Sequence, residues 1–238
     1  MANASIKRFY KQVATAPAEN GQGWRIHLDG RAVKTPGKAD FVLRNQPLAE
    51  AIAAEWDAQG EHIVPSTMPI MQLAATAIDR VAPNRAVVIA ELTGYGRSDL
   101  LCYRAQYPDD LMRKQHEQWQ PLLDWAKTEL SVSLNVTHGV MPIAQEDTAL
   151  LAVQDVIEPL DDHELAALHT LITVSGSVII GLAVLHRYID AKQAFDVSQV
   201  DEIYAIENWG ADAEAEEKRQ NLRNEILAAR RFLDLYQG

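Results

Sequence analysis

One stretch of the sequence, from Leu165 to Leu185, carries no formally charged residue and constrains the fold more than any other. It is long enough for a helix that crosses a bilayer. However, Ser175-Gly176-Ser177 interrupts it at its centre, and His169 lies in its first half. Because the glycine can end one helix and Ser177 can cap the next, the pattern favours two buried helices in a soluble core. A membrane-associated scaffold built on this stretch is the alternative.

The overall charge limits the class of partner. The chain has 238 residues, with 22 Lys and Arg against 33 Asp and Glu, which gives a net charge of −11. An acidic surface repels phosphate backbones and anionic lipid, so we expect no nucleic-acid partner and no stable membrane insertion. The N-terminal residues carry no signal-peptide or transit-peptide pattern, which indicates the bacterial cytoplasm or a mature form already processed.

Strand and turn patterns are concentrated near the N-terminus. The segments Phe9–Ala14 and Trp24–Leu28 alternate between apolar and polar residues, and Asp29-Gly30 is a hairpin turn signal, so both turn residues are predicted to be structural. Beyond residue 66 the pattern is mostly helical. We therefore predict an α+β protein, with a small N-terminal α+β domain of antiparallel strands over residues 1–66 and a larger, mainly helical domain over 67–238.

The first predicted helix begins at Pro47 and is ended by Gly60. Within it Leu48, Ile52 and Trp56 recur at every fourth position and form one apolar stripe. This spacing places Trp56 in the core, so its predicted role is structural.

Sequence patterns that carry chemistry are weak. Gly94-Tyr-Gly96 lacks the third glycine of a dinucleotide loop, and no phosphate-binding Gly-x-x-x-x-Gly-Lys occurs. The seven histidines are scattered, without metal-ligand spacing. Cys102, between Leu101 and Tyr103, is predicted to be a buried packing residue. We therefore expect no catalytic residue, no metal and no cofactor, although a site assembled from dispersed residues is an open alternative.

The segment from Ser198 to Gly210 contains the candidate partner-binding residues. Ser198 with Asp201 resembles a capping box at the start of a helix. An apolar stripe along this helix leads to Glu207, whose carboxylate is either paired internally or held for a partner. The earlier members of the stripe are Val200, Ile203 and Tyr204. Trp209 is of the type that anchors a core or an interface.

Several runs spread over the chain together resemble one known family. They are Lys7-Arg-Phe-Tyr-Lys11, Leu28-Asp-Gly-Arg-Ala-Val-Lys-Thr-Pro36, Leu48-Ala-Glu50, Glu55-Trp-Asp-Ala-Gln59, Met68-Pro69, Asp99-Leu-Leu-Cys-Tyr-Arg-Ala105, Trp125-Ala126 and Trp209-Gly210. In these runs the chain resembles the assembly chaperones of F-type ATP synthase that bind the α subunit, the "Atp twelve" family of mitochondria and α-proteobacteria.

The resemblance implies a two-domain protein that is not an enzyme. Its implied activity is to hold the free α subunit soluble, without nucleotide, until the β subunit replaces it. Glu207 matches an acidic position that the family links to function, and with it we take Trp209 and Asp212 as candidate partner-binding residues. Eukaryotic members of the resembled family act in the mitochondrial matrix. The rival interpretation is an enzyme of unknown substrate with a site around Glu207.

Overall fold

The structure is a computed structural model that describes residues 6–19, 21–139, 141–210 and 212–238. The strands of this part of the chain are β1 (Ile6–Lys7), β2 (Val13–Pro17), β3 (Trp24–Leu28), β4 (Arg31–Ala32), β5 (His62–Ile63), β6 (Tyr103–Arg104) and β7 (Thr137–His138). Its α-helices are α1 (Gln46–Asp57), α2 (Pro69–Thr76), α3 (Arg85–Gly94), α4 (Asp109–Glu129), α5 (Asp147–Ile157), α6 (Asp162–Ser175), α7 (Val178–Leu185), α8 (Ala191–Ser198), α9 (Val200–Trp209) and α10 (Ala213–Gln237). The protein is thus α+β and mainly helical, as predicted.

The chain divides into two compact units. The first unit comprises the described residues of Met1–Asn84 together with Asp162–Ala167 and Arg231–Gly238. The second comprises those of Arg85–Asp161 and Leu168–Arg230. The domain limits of 1–66 and 67–238 stay a prediction.

A three-stranded antiparallel sheet in the order β2-β3-β4 opens the first unit. Asp29 and Gly30 form the two-residue turn between β3 and β4, and both have positive φ, +48° and +79°. This is the backbone that a right-twisted hairpin favours and that Asp-Gly tolerates. The Asp29 carboxylate accepts hydrogen bonds from the backbone N–H groups of Gln12 (2.8 Å) and Lys11 (3.0 Å). These two bonds lower the pKa of Asp29 and fix the turn to the chain that precedes β2.

The predicted stripe of α1 forms part of the core of the first unit. Asn45 caps the helix by accepting from the backbone N–H of Leu48 (3.0 Å), and α1 ends at Asp57, three residues before Gly60. Leu48 and Ile52 are fully buried and Trp56 is 9% exposed. Tyr10 packs edge-on against the Trp56 ring and donates its hydroxyl to the Trp56 carbonyl (2.6 Å).

Glu55, next to Trp56 in α1, supplies the N-terminal cap of α2. The helix begins after Met68, whose side chain makes no capping bond. Instead the Glu55 carboxylate accepts from the backbone N–H groups of Ile70 and Met71, each at 2.8 Å. Because the first N–H groups of a helix have no partner within it, a carboxylate from another helix stabilises this end. Burial raises the pKa of Glu55, and the two hydrogen bonds oppose the shift.

The uncharged stretch Leu165–Leu185 forms α6 and α7, with the break at Gly176. Ser177 caps α7 as predicted, since its hydroxyl oxygen accepts from the backbone N–H of Ile180 (3.0 Å). Every residue of α7 is buried. Among the described residues, no helix combines the length and apolar character that crossing a membrane requires.

A second carboxylate cap stabilises the second unit. Asp99 is fully buried, and its oxygens accept from the backbone N–H groups of Leu101 (3.0 Å) and Ile179 (3.1 Å). The Ser177 hydroxyl donates to the same carboxylate at 2.8 Å. Burial raises the pKa of Asp99 to about 6, although these hydrogen bonds favour its charged form.

Two local features of the second unit are irregular. Asp99–Arg104 contains a short 3₁₀ turn at Leu100–Cys102, and only Tyr103–Arg104 form a strand. Asp99 causes this turn by accepting from the N–H of Leu101. Helix α4 continues through Pro121, although a proline inside a helix removes one backbone hydrogen bond. Cys102 is fully buried and free, in agreement with its predicted packing role.

Candidate partner-binding surfaces

The α9 surface, which we define as Glu207, Trp209 and Asp212, lies in the second unit at the C-terminal end of α9. The predicted capping box does not form at the start of this helix. The Ser198 hydroxyl donates to the Phe195 carbonyl of α8 (2.8 Å), and Asp201 accepts from the Gln115 side chain of α4 (2.6 Å). A tertiary bond therefore takes the carboxylate that the local pattern assigned to the cap.

Tyr204 anchors the middle of α9. Its ring is buried, and its hydroxyl donates to the Asp110 carboxylate of α4 at 3.0 and 3.1 Å. Burial raises the pKa of the Tyr204 phenol, and the acidic groups of Asp110 and Glu207 raise it further. The phenol thus stays protonated as a donor, and two separate hydrogen bonds to α4 hold α9 in place.

Glu207 is both exposed and paired. Its carboxylate contacts the Lys114 ammonium of α4, and 52% of its side chain is accessible. The Lys114 ammonium lies 5.6 Å from the centre of the Tyr204 ring. Because an exposed ion pair contributes only about 0–1 kcal/mol, a cationic group of a partner can compete for this carboxylate at small cost.

Trp209 is a strongly exposed residue of the α9 surface, with 79% of its surface accessible to solvent. Its ring meets the Tyr204 ring edge-on at 6.4 Å, and Gly210, with φ of +89°, ends the helix directly after it. A large aromatic side chain on a firmly held helix loses little conformational entropy on binding. Such side chains dominate the energy of protein interfaces.

Asp212 is exposed and has a structural contact of its own. Its carboxylate accepts from the backbone N–H of Ala215 (3.2 Å) in the first turn of α10. This capping bond accounts for an acidic residue at the position. Its partner-binding role stays a prediction.

The first unit contains a groove that sequence reasoning missed. This N-terminal groove has a volume of about 530 Å³, and apolar side chains from the β1 region, α1 and α2 dominate its walls. The residues that concern us are Ile6, Phe9, Trp56, Ile63, Met68 and Met71. Phe9 is 69% exposed and Ile6 is 58% exposed. Phe9 lies in the Lys-Arg-Phe-Tyr-Lys run, but alternation alone does not distinguish an exposed aromatic residue from a core one.

Groups that could serve metal chemistry are sparse in this fold. The described residues contain no cluster of three or more His, Cys, Asp or Glu side chains suited to a metal ion. Burial raises the pKa of the Cys102 thiol to about 12, so this thiol is not poised as a nucleophile. The prominent surface features are the exposed Trp209, the exposed ion pair between Glu207 and Lys114, and the apolar N-terminal groove. These features are typical of a protein that acts by binding another protein.

Comparison with known proteins specifies this class. The family model described as ATP12 chaperone protein matches residues 7–127. The crystal structure of Atp12 from Paracoccus denitrificans is 43% identical, with a TM-score of 0.91, and the match covers 97% of this chain and 98% of that one. The mitochondrial protein atp12 of Schizosaccharomyces pombe is 27% identical over 243 residues, covering 94% of this chain and 81% of the relative. The mitochondrial protein ATP12 of Saccharomyces cerevisiae is 21% identical over 252 residues, covering 86% and 78%.

The chain belongs to the ATP12 chaperone family, which confirms the resemblance seen in its sequence. It is therefore a chaperone of ATP synthase assembly and not an enzyme. This membership removes the rival interpretation of an enzyme with a site around Glu207.

Proposed function

We propose that the chain binds the free α subunit of F-type ATP synthase and shields the apolar surface that α later presents to the β subunit. Membership of an ATP synthase assembly chaperone family supports this choice of client. An unassembled subunit exposes a large apolar interface, and exposed apolar surface drives aggregation. We further propose that the chain acts in the bacterial cytoplasm, whereas its yeast relatives are named as mitochondrial.

Release in this proposal depends on competition and requires no nucleotide. The chaperone interface must be weaker than the final α–β interface, or overlap only part of it, so that the β subunit displaces the chaperone. A small exposed anchor meets this requirement better than an extensive apolar face, because few contacts have to be lost. The α9 surface is of this kind, because Trp209 is the one large apolar side chain among the three described residues that define it.

The observation that carries the proposed binding site is the exposure of Trp209 on an anchored helix. Its 79% accessible surface is unusual for a tryptophan in a helix that Tyr204 holds through a hydrogen bond to Asp110 of α4. Glu207, two positions before Trp209 in α9, adds a carboxylate that a basic group on α can take from Lys114. The net charge of −11 favours approach of a basic surface. We therefore propose Trp209 as the apolar anchor, with Glu207 and Asp212 as acidic contacts.

Light scattering of purified α subunit, diluted from denaturant with and without the chain, tests this function. We expect the chain to suppress aggregation in the absence of nucleotide. We expect Trp209→Ala and Glu207→Lys each to weaken protection by about tenfold or more, as loss of an interface anchor does. Aggregation of α at the same rate with and without wild-type chain would exclude the proposed function.

Two control variants make the same kinds of change, truncation of an exposed apolar side chain and charge reversal of an exposed glutamate, at other positions of the second unit. Leu151→Ala removes an apolar side chain that is 57% exposed on α5, and it matches Trp209→Ala. Glu117→Lys reverses an exposed glutamate that is ion-paired within α4, and it matches Glu207→Lys. Both controls should protect α like wild type. Equal loss of protection in the controls and the α9 variants would show that the site is not the α9 surface.

A further inference from the structure

We propose that the N-terminal groove is a second docking surface, and that it takes an extended apolar segment of the client flanked by acidic residues. The identity of that client as the α subunit rests on the proposed function. The chemistry of the segment rests on the groove itself.

The shape and lining of the groove suit a peptide with apolar side chains. Its volume of about 530 Å³ lies within the range of sites that bury a ligand. Met68 and Met71 line the groove with only 2% and 9% of their surface exposed. Ile6 and Phe9, which are 58% and 69% exposed, offer accessible apolar surface to a bound segment.

Charged residues at the rim of the groove determine which residues are favoured next to the apolar part of a bound segment. Lys34 and Arg80 line the groove, are exposed, and make no ion pair with the described part of the chain. Asp79 also lines the groove, and its carboxylate accepts from the Thr35 hydroxyl (2.6 Å) and the Gly37 backbone N–H (2.7 Å), two neutral donors that do not cancel its formal charge. The lining thus carries two cations and one anion, a local excess of positive charge on a molecule whose net charge is −11.

An acidic flank is attracted to this rim despite the acidic character of the whole chain. At physiological ionic strength, charges separated by more than about 8 Å are largely screened. Lys34 and Arg80 together exceed the charge of Asp79 and outweigh more distant carboxylates for a group bound at the rim.

A peptide array tests the groove without depending on intact α. The array carries overlapping 13-residue peptides that tile the α subunit, each with a partner peptide in which every Asp and Glu is replaced by Lys. Wild-type chain, labelled with a fluorophore at its N-terminus, should bind apolar peptides with an acidic flank. It should bind their lysine partners about tenfold more weakly, since like charges at an interface are strongly unfavourable.

Charge reversal at the rim should invert this preference. The double variant Lys34→Glu/Arg80→Glu should bind lysine-flanked peptides in preference to acid-flanked ones. The double variant Lys127→Glu/Arg97→Glu changes two exposed cations of the second unit and should retain the wild-type preference. Circular dichroism verifies that each variant is folded. Peptide preferences that are identical in wild type and in the rim variant would overturn the proposal, and so would the absence of any bound peptide.

The outcomes separate this inference from the proposed function. If α is protected from aggregation but no peptide binds, the groove proposal fails and the proposed function stands. If acid-flanked peptides bind but α aggregates unprotected, the proposed function fails and the chemistry of the groove stands. Self-association that is lost in the rim variant, measured by sedimentation velocity, would assign the groove to a second copy and overturn the proposal.

Discussion

The two compact units use tryptophan and carboxylate side chains in opposite ways. In the first unit Trp56 is 9% exposed and Glu55 caps a neighbouring helix, so these two residues of the Glu-Trp-Asp run stabilise the interior. In the second unit Trp209 is 79% exposed and Glu207 pairs with Lys114 at the surface. The same residue types therefore stabilise the interior of one unit and lie at the surface of the other. The residues of the two units differ in burial, so the same substitution should change the free energy of unfolding by different amounts in the two units.

The largest effect is expected when the two tryptophans are compared directly. Trp56→Ala removes a buried ring that packs against Tyr10, so it should destabilise the protein by about 3–5 kcal/mol. Trp209→Ala should change stability by no more than about 0.5 kcal/mol, because the ring is mostly in water. Urea unfolding followed by circular dichroism measures both. Similar free energies of unfolding for the two variants would break the comparison.

The second prediction concerns the carboxylate that caps α7. The pKa of Asp99 is about 6 in the folded protein and has its ordinary value of 3.8 when unfolded. Between these values the folded state holds a proton that the unfolded state has lost. Stability due to Asp99 is therefore greatest below about pH 4 and is lost as the pH rises through about 6. Two pKa units correspond to roughly 3 kcal/mol.

Asp99→Asn isolates this contribution, because asparagine does not titrate. The difference in free energy of unfolding between wild type and Asp99→Asn should favour wild type most at about pH 4. It should then fall by up to about 3 kcal/mol by about pH 7. Glu55 and the other carboxylates are common to both proteins, so their titration cancels to first order. A difference that is independent of pH, or that grows with pH, would show that Asp99 does not titrate with a raised pKa.

Local pattern predicted the parts of this fold that short-range physics determines. The four-residue period of Leu48, Ile52 and Trp56 gave the buried face of α1, and Ser177 was identified as a cap from its position after Gly176. The sequence does not decide whether Glu207 is paired internally or held for a partner. Its ion-pair partner Lys114 lies 93 residues away in the chain, and a carboxylate that is half exposed can form that internal pair and still be reached by another protein.

Long-range contacts explain what sequence could not show. The caps supplied by Glu55 and Asp99 join residues that are 15 and 80 positions apart, and neither follows a capping pattern. The N-terminal groove combines side chains from Ile6 to Arg80, each unremarkable in its own segment. The failed capping box of α9 has the same cause, because Gln115 takes the Asp201 carboxylate. Local pattern identifies elements, whereas tertiary hydrogen bonds decide which side chains remain available at a surface.

The smallest predicted effect tests whether the α9 surface needs its anchoring to α4. Tyr204→Phe keeps the buried ring and removes only the hydroxyl bonded to Asp110. Since Asp110 is exposed and can turn to water, we expect a loss of about 0.5–1.5 kcal/mol in the free energy of unfolding. Protection of the α subunit should weaken by less than with Trp209→Ala, because the aromatic anchor is intact. Asp110→Ala, which removes the acceptor, combined with Tyr204→Phe forms a double-mutant cycle, in which the two effects should be strongly non-additive. Additive effects on stability would mean that the hydroxyl–carboxylate bond does not hold α9, and the exposed Trp209 would then have to be explained without a rigid helix beneath it.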